Sequence, residues 1–127
     1  MNPEALRKIA NQWNDAWNSR EVSQLLDFLA TDATYYEPDA DGDAVAGAQG
    51  LQKAAETTWS QWPDATFEIV SCVVEQARIA LEWRSSAKHQ SGQELTLEGV
   101  DLLTCNEQGK LTSVKVYYDT HKRRALG

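Results

Sequence analysis

Four consecutive segments in the second half of the chain constrain the fold most strongly, because each is rich in β-branched and aromatic residues. They run from Thr66 to Glu75, Arg78 to Lys88, Glu94 to Cys105 and Lys110 to Tyr118. Such runs are typical of strands. Because only a few residues join each segment to the next, the connections are expected to be hairpin loops. The second half of the chain therefore predicts a mostly antiparallel sheet.

The first half of the chain has helical periodicity instead. Apolar residues from Leu6 to Trp17 recur at the spacing of one helix face. A short second helix is predicted from Val22 to about Thr31, with Ser19 as its N-cap. A third helix is predicted from Leu51 to Trp62, and Pro63 closes it. Three helices thus precede the strands.

A short strand and an acidic loop separate the second helix from the third. The strand is predicted from Ala33 to Glu37 and is stopped by Pro38, while the Asp- and Gly-rich run from Asp39 to Gly50 is a loop. Helices followed by strands give an α+β fold, here a cone of three helices packed on a strongly curved sheet. Its mouth can admit a small molecule. The 127 residues are expected to form a single domain, because no linker or repeat divides them.

Composition and charge limit the class of function. A net charge of -7 argues against nucleic acid or anionic membranes as partners. No apolar stretch approaches the roughly 20 residues that span a bilayer, and the N-terminus lacks the apolar block of a signal peptide. Since Cys72 and Cys105 make no disulfide framework, a cytoplasmic location is expected. No metal site is expected either, because the acidic loop departs from calcium-binding spacing and His89 and His121 have no companions.

Asp101 stands in the middle of an otherwise apolar strand face. Strand side chains alternate between faces, so Asp101 should point into the core together with Leu97 and Leu103. Burial disfavours the ionised form and raises the pKa, by up to roughly 3 to 5 units for a fully buried group. A carboxyl group kept neutral at pH 7 can donate a hydrogen bond to a carbonyl or enolate oxygen. The alternative is a β-bulge at Gly99, which would turn Asp101 outward.

Glu37 is a second candidate, because it ends the first strand beside a polar loop. There it is expected to stay ionised and to act as a base, although a solvated carboxylate at a strand end is an equal alternative. Proton abstraction beside a carbonyl requires a base together with a hydrogen-bond donor to the enolate oxygen. The sequence therefore suggests Glu37 as base and Asp101 as oxyanion donor, and it places Tyr35 on the same strand face as Glu37.

Two segments, LATDATYYEPDADGD and GVDLLTCNEQGKLTSVKVYY, resemble the ketosteroid isomerases of the nuclear transport factor 2-like superfamily, which also includes the SnoaL-like polyketide cyclases. The resemblance places Glu37 on the catalytic base and Asp101 on the oxyanion-hole acid, whose neutral state in that family is a known example of pKa tuning. It implies cofactor-free proton transfer in a small apolar carbonyl compound. The chain has Glu where the family base is Asp, and Trp13 where the first helix of the family carries a tyrosine. Tyr35 or Trp13 would then supply the second donor.

The wall of the pocket is expected to combine aromatic and aliphatic residues from the helices and the sheet, namely Trp13, Trp17, Trp59, Leu97, Leu103, Val114, Val116 and Tyr118.

Two other functions remain open. A polyketide cyclase would use nearly the same acid and base, and a non-catalytic module of the same fold would only bind a ligand or dimerise. Val100 and Leu102 interrupt the polar pattern of the outer sheet face, which predicts a homodimer through that face.

Overall fold

The computed structural model describes residues 1–38, 45–88 and 91–124. The acidic segment 39–44 and His89 lie outside these described residues. The elements, in chain order within each class, are the helices α1 (Pro3–Ser19), α2 (Val22–Leu26), α3 (Gly47–Gln61) and α4 (Thr120–Arg124), and the strands β1 (Leu29–Tyr36), β2 (Val45–Ala46), β3 (Thr66–Glu75), β4 (Arg78–Lys88), β5 (Glu94–Cys105) and β6 (Leu111–Tyr118).

The strands form one mixed sheet in the order β2-β1-β6-β5-β4-β3. Neighbours from β3 to β6 pair antiparallel, as their short connections predicted. Strand β1 pairs with β6 in parallel, which requires the intervening chain to cross over. The predicted α+β architecture, N-terminal helices on a mostly antiparallel sheet, is confirmed. Strand β2 and helix α4 were not predicted.

Helix α1 covers the half of the sheet that β3 and β4 form. Its first turn is capped by Asn2, whose Oδ1 accepts a hydrogen bond from the backbone N–H of Ala5 at 2.8 Å. Its last turn is tied to β3, because the Asn18 side chain exchanges two hydrogen bonds with the backbone of Phe67, at 2.8 and 2.9 Å. Both ends of the helix are therefore fixed, and Trp13 between them is held at a defined position over the sheet.

The second helix is shorter than its apolar spacing predicted. It ends at Leu26, and β1 begins at Leu29. The Phe28 carbonyl accepts a hydrogen bond from the N–H of Leu111 at 2.8 Å, and this bond joins the chain to the sheet at that point. Ser19 is not its N-cap. The hydroxyl of Ser19 belongs to the end of α1 and donates to the Ala16 carbonyl at 2.6 Å.

The register of β5 turns Asp101 inward, as alternation predicted. Pairing with β4 runs without interruption along the whole strand, with Trp83 opposite Gly99 and Leu81 opposite Asp101. A bulge at Gly99 is therefore wrong as an alternative. Leu97, Asp101 and Leu103 are all buried on this face. One acidic side chain consequently lies in the apolar interior between the sheet and α1.

Candidate functional site

A cavity of about 70 Å³ opens between α1, α3 and the buried face of the sheet. A bound water takes at least about 10 to 15 Å³ of such a volume, so the enclosed part has room for about five waters. The wall combines aromatic rings with small aliphatic groups and two carboxylates, and comprises Trp13, Asn14, Trp17, Tyr35, Glu37, Ala54, Thr58, Trp62, Ala65, Phe67, Leu81, Trp83, Ser85, Ala87, Leu95, Leu97, Asp101, Val116 and Tyr118.

Asp101 lies on the wall of this cavity and is only 6% exposed. Two indole N–H groups donate to its carboxylate, Nε1 of Trp13 to Oδ2 at 3.0 Å and Nε1 of Trp83 to Oδ1 at 2.9 Å. Burial raises the pKa of Asp101 from 3.8 to about 6, and the two hydrogen bonds oppose this rise because they favour the ionised form. Asp101 is thus an acid that titrates close to neutral pH.

The pKa shift has the predicted direction, but it does not keep Asp101 neutral at pH 7. A group with a pKa of about 6 has about ten ionised molecules for each neutral one at that pH. The Trp13 indole, considered above as a donor to a ligand oxygen, donates instead to Asp101. Both oxygens of Asp101 thus accept hydrogen bonds, and its role as a neutral oxyanion donor stays a prediction.

Gly99 allows Trp83 to reach Asp101. The two residues pair across β4 and β5, and the indole of Trp83 crosses over the glycine toward Asp101. A Cβ atom at residue 99 would overlap with Cζ2 of Trp83 and with the backbone carbonyl O of Tyr117. The absence of a side chain at Gly99 is therefore a condition of the hydrogen bond from Trp83 to Asp101.

Glu37 and Tyr118 form a second polar group on the same wall. The hydroxyl of Tyr118 donates to Oε2 of Glu37 over 3.5 Å, a long hydrogen bond. Glu37 is half-buried and follows the end of β1, whereas Tyr35 on the same strand is buried. The structure brings the three predicted catalytic residues, Glu37, Asp101 and Tyr35, to one cavity.

Five of the residues expected in the wall line the cavity, namely Trp13, Trp17, Leu97, Val116 and Tyr118. Three others do not. Leu103 and Val114 lie completely buried in the core, and Trp59 packs its ring against Trp17, with the ring centroids 5.9 Å apart. Alternation placed Leu103 and Val114 on the correct face, but these residues lie beyond the end of the cavity, where the interior is filled.

Sequence reasoning missed Trp83, the second donor to Asp101. The signal was present in β4, where Ile79, Leu81, Trp83 and Ser85 share one face and are all buried. Pairing that strand with β5 through their short connection would have set Trp83 opposite Gly99. Trp62 and Phe67, which complete the aromatic wall, come from the end of α3 and the start of β3.

Within the described ranges, no three side chains of His, Cys, Asp or Glu gather in a group that could hold a metal ion. None of the helices in the described part of the chain has the length and apolar character that crossing a membrane requires.

Comparison with known proteins identifies the architecture. The family model described as SnoaL-like domain matches residues 10–114, whereas no curated protein matches the sequence. An NTF2-like protein of unknown function from Burkholderia pseudomallei superposes with a TM-score of 0.85 at 16% identity, over 99% of this chain and 98% of that one.

Two further solved structures share the fold. A protein with a ketosteroid isomerase-like fold from Catenulispora acidiphila, in complex with trimethylamine, gives a TM-score of 0.79 at 19% identity over 96% of this chain and 90% of that one. SalBIII, an epoxide hydrolase/cyclase-like enzyme of pyran ring formation in the polyether salinomycin, gives 0.81 at 15% identity over 95% of both chains. At these identities the likeness concerns the fold alone.

Proposed function

Because the chain belongs to the SnoaL-like domain family, we propose that it catalyses cofactor-free proton transfer in a small carbonyl compound with a mainly apolar surface. The observation that carries this proposal is the carboxyl group of Asp101, which lines the cavity and has a pKa raised to about 6. A group with such a pKa takes up and releases protons readily near neutral pH, as a general acid or base must.

In this proposal Asp101 is the base, which reverses the roles that the sequence suggested. The indole N–H groups of Trp13 and Trp83 both donate to Asp101 and favour its ionised form. An ionised carboxylate accepts a proton and has none to donate to an enolate oxygen. The donor to that oxygen is then the hydroxyl group of Tyr35, which lines the same cavity, whereas the hydroxyl of Tyr118 donates to Glu37.

Glu37 is the alternative base, and the pH dependence of the reaction separates the two assignments. If Asp101 is the base, the rate rises with pH through about 6, because only its ionised form accepts a proton. If Glu37 is the base and Asp101 a neutral donor, the rate falls through the same pH, because Asp101 loses the proton that it must donate. The rate therefore changes near the same pH under both assignments, but in opposite directions.

Exchange of hydrogen for deuterium beside a carbonyl tests the proposal without knowledge of the natural substrate. Cyclohexanone and cyclohex-2-enone are small, mainly apolar ketones, and their exchange can be followed by proton NMR in D2O. We expect exchange above the buffer rate, rising through a pH of about 6. Asp101→Asn should lower the rate by about 100-fold or more, the usual contribution of a general base.

Two variants make the outcome decisive. Glu98→Gln removes an exposed carboxylate of the same strand and should leave the exchange rate unchanged. In Glu37→Gln, the exchange rate should still rise with pH near 6. Exchange that survives in Asp101→Asn would contradict the role of Asp101. Ketones that bind without any exchange would favour the non-catalytic binding module.

A further inference from the structure

The cavity has an unbalanced distribution of charge. Its wall contains two carboxylic acids, Asp101 and Glu37, and among its described residues there is no Lys, Arg or His. The two salt bridges of the described chain join Arg84 to Glu68 and to Glu98 and involve neither of these acids. When Asp101 is ionised, the described residues of the wall therefore supply no cationic side chain beside it.

Asp101 is the buried half of this imbalance. Buried charges in proteins are normally paired with an opposite charge, whereas the two hydrogen-bond donors of Asp101 are the neutral indoles of Trp13 and Trp83. An ionised carboxylate has about four acceptor positions, so these indoles leave room for further partners on the side that faces the cavity. The missing positive charge can be supplied by a proton or by a ligand.

The rest of the wall suits a cation with an apolar surface. Four of the five tryptophans of the chain line the cavity, together with Phe67 and two tyrosines. Aromatic rings attract cations through the negative potential of their faces, and tryptophan does so most strongly. A quaternary ammonium group combines a positive charge with a shell of methyl or methylene groups, and because it has no N–H it needs no hydrogen-bond acceptor in the wall.

We infer that the cavity binds a small organic cation of the alkylammonium type, whose positive charge lies next to Asp101. The inference concerns the cavity in which we propose proton transfer but goes beyond that proposal, because it rests on the burial and the hydrogen bonds of Asp101 and not on the reaction. The other described polar residues of the cavity wall include the acid Glu37 and the neutral side chains of Tyr35, Tyr118, Asn14 and Ser85. None of these brings a positive charge of its own.

Choline and 3,3-dimethylbutan-1-ol provide a matched pair of probes, because they share shape and hydroxyl group and differ only in the charged nitrogen. We expect the full chain at pH 7.5 to bind choline about tenfold more tightly, measured by quenching of tryptophan fluorescence. The preference should decline toward equality between pH 7.5 and 5, as Asp101 becomes protonated. Equal affinities at pH 7.5, or tighter binding of the alcohol, would overturn the inference.

Two further measurements separate charge recognition from a general loss of structure. Asp101→Asn should abolish the preference for choline while retaining affinity for the alcohol, and Glu98→Gln, which removes the same charge from the exposed face, should retain the preference. In the unmodified protein, choline should lower the pKa of Asp101 in a carboxyl-carbon NMR titration and the alcohol should not. An unchanged pKa with choline bound would contradict the inference, whether or not ketone exchange is observed.

Discussion

Replacement of Asp101 by Asn should change the pH dependence of folding stability in a direction that the structure fixes. An ordinary aspartate carboxyl group has a pKa of 3.8, whereas the pKa of Asp101 in the folded chain is about 6. Between these values the folded protein keeps a proton that the unfolded chain has released. Stability therefore falls as the pH rises through this window, and it levels off above about pH 7.

The size of the effect follows from the shift. About two pKa units at 1.36 kcal/mol each make the ionised Asp101 cost the fold about 3 kcal/mol, of which about 2 kcal/mol develops between pH 4 and pH 7. The slope is steepest near pH 5, at about 1.2 kcal/mol per pH unit. The side chain of asparagine does not titrate. The unfolding free energy of Asp101→Asn minus that of the unmodified protein should therefore increase by about 2 kcal/mol as the pH rises from 4 to 7.

Urea unfolding of both proteins at pH 4, 5, 6 and 7, followed by circular dichroism, measures this difference. Carboxylates common to the two chains cancel in the comparison. Glu98→Gln is the charge-matched control, and its difference from the unmodified protein should change by less than about 0.5 kcal/mol, as for other exposed carboxylates. A difference for Asp101→Asn that is independent of pH, or that decreases as the pH rises, would refute the reasoning.

Three other predictions follow from the site and the sheet. Trp83→Phe removes one of the two donors to Asp101 and should raise the pKa of that carboxyl group above about 6 in a carboxyl-carbon NMR titration; a lower value would contradict the stated cause. Gly99→Ala should displace Trp83, raise the same pKa and destabilise the fold by about 1 to 3 kcal/mol in urea unfolding, so unchanged stability would show that the ring is not fixed by the glycine. Sedimentation should detect a homodimer at micromolar concentration that Leu102→Lys dissociates, and a monomeric parent protein would remove the outer sheet face as an interface.

The fold was predictable because its determinants are local. Four strands with short connections could pair only as neighbouring hairpins, and alternation alone brought Asp101 inward. The end of the second helix was not predictable in the same way. Leu29 fits a helix face, but a hydrogen bond to Phe28 from the distant Leu111 decides that the chain becomes a strand.

The sequence predicted which residues form the candidate site better than it predicted their protonation states. Glu37, Tyr35 and Asp101 share the cavity as expected. The protonation state of Asp101 depends on two indole donors that approach from a helix and from a neighbouring strand, 88 and 18 residues away along the chain. No local pattern reports the contact of Trp13, whereas that of Trp83 follows from the pairing of β4 with β5, and here both contacts oppose the effect of burial.

The parallel pairing of β1 with β6 has a consequence for the order of folding during synthesis. Residues near Leu29 acquire their partner only when the region of Leu111 has been made, and the indole of Trp13 likewise waits for Asp101. Contacts of such high sequence separation form slowly, because a long loop must close before they stabilise anything. Until β5 and β6 have left the ribosome, β1 lacks its parallel partner and Trp13 lacks Asp101. The nascent chain is then exposed to aggregation and to chaperones.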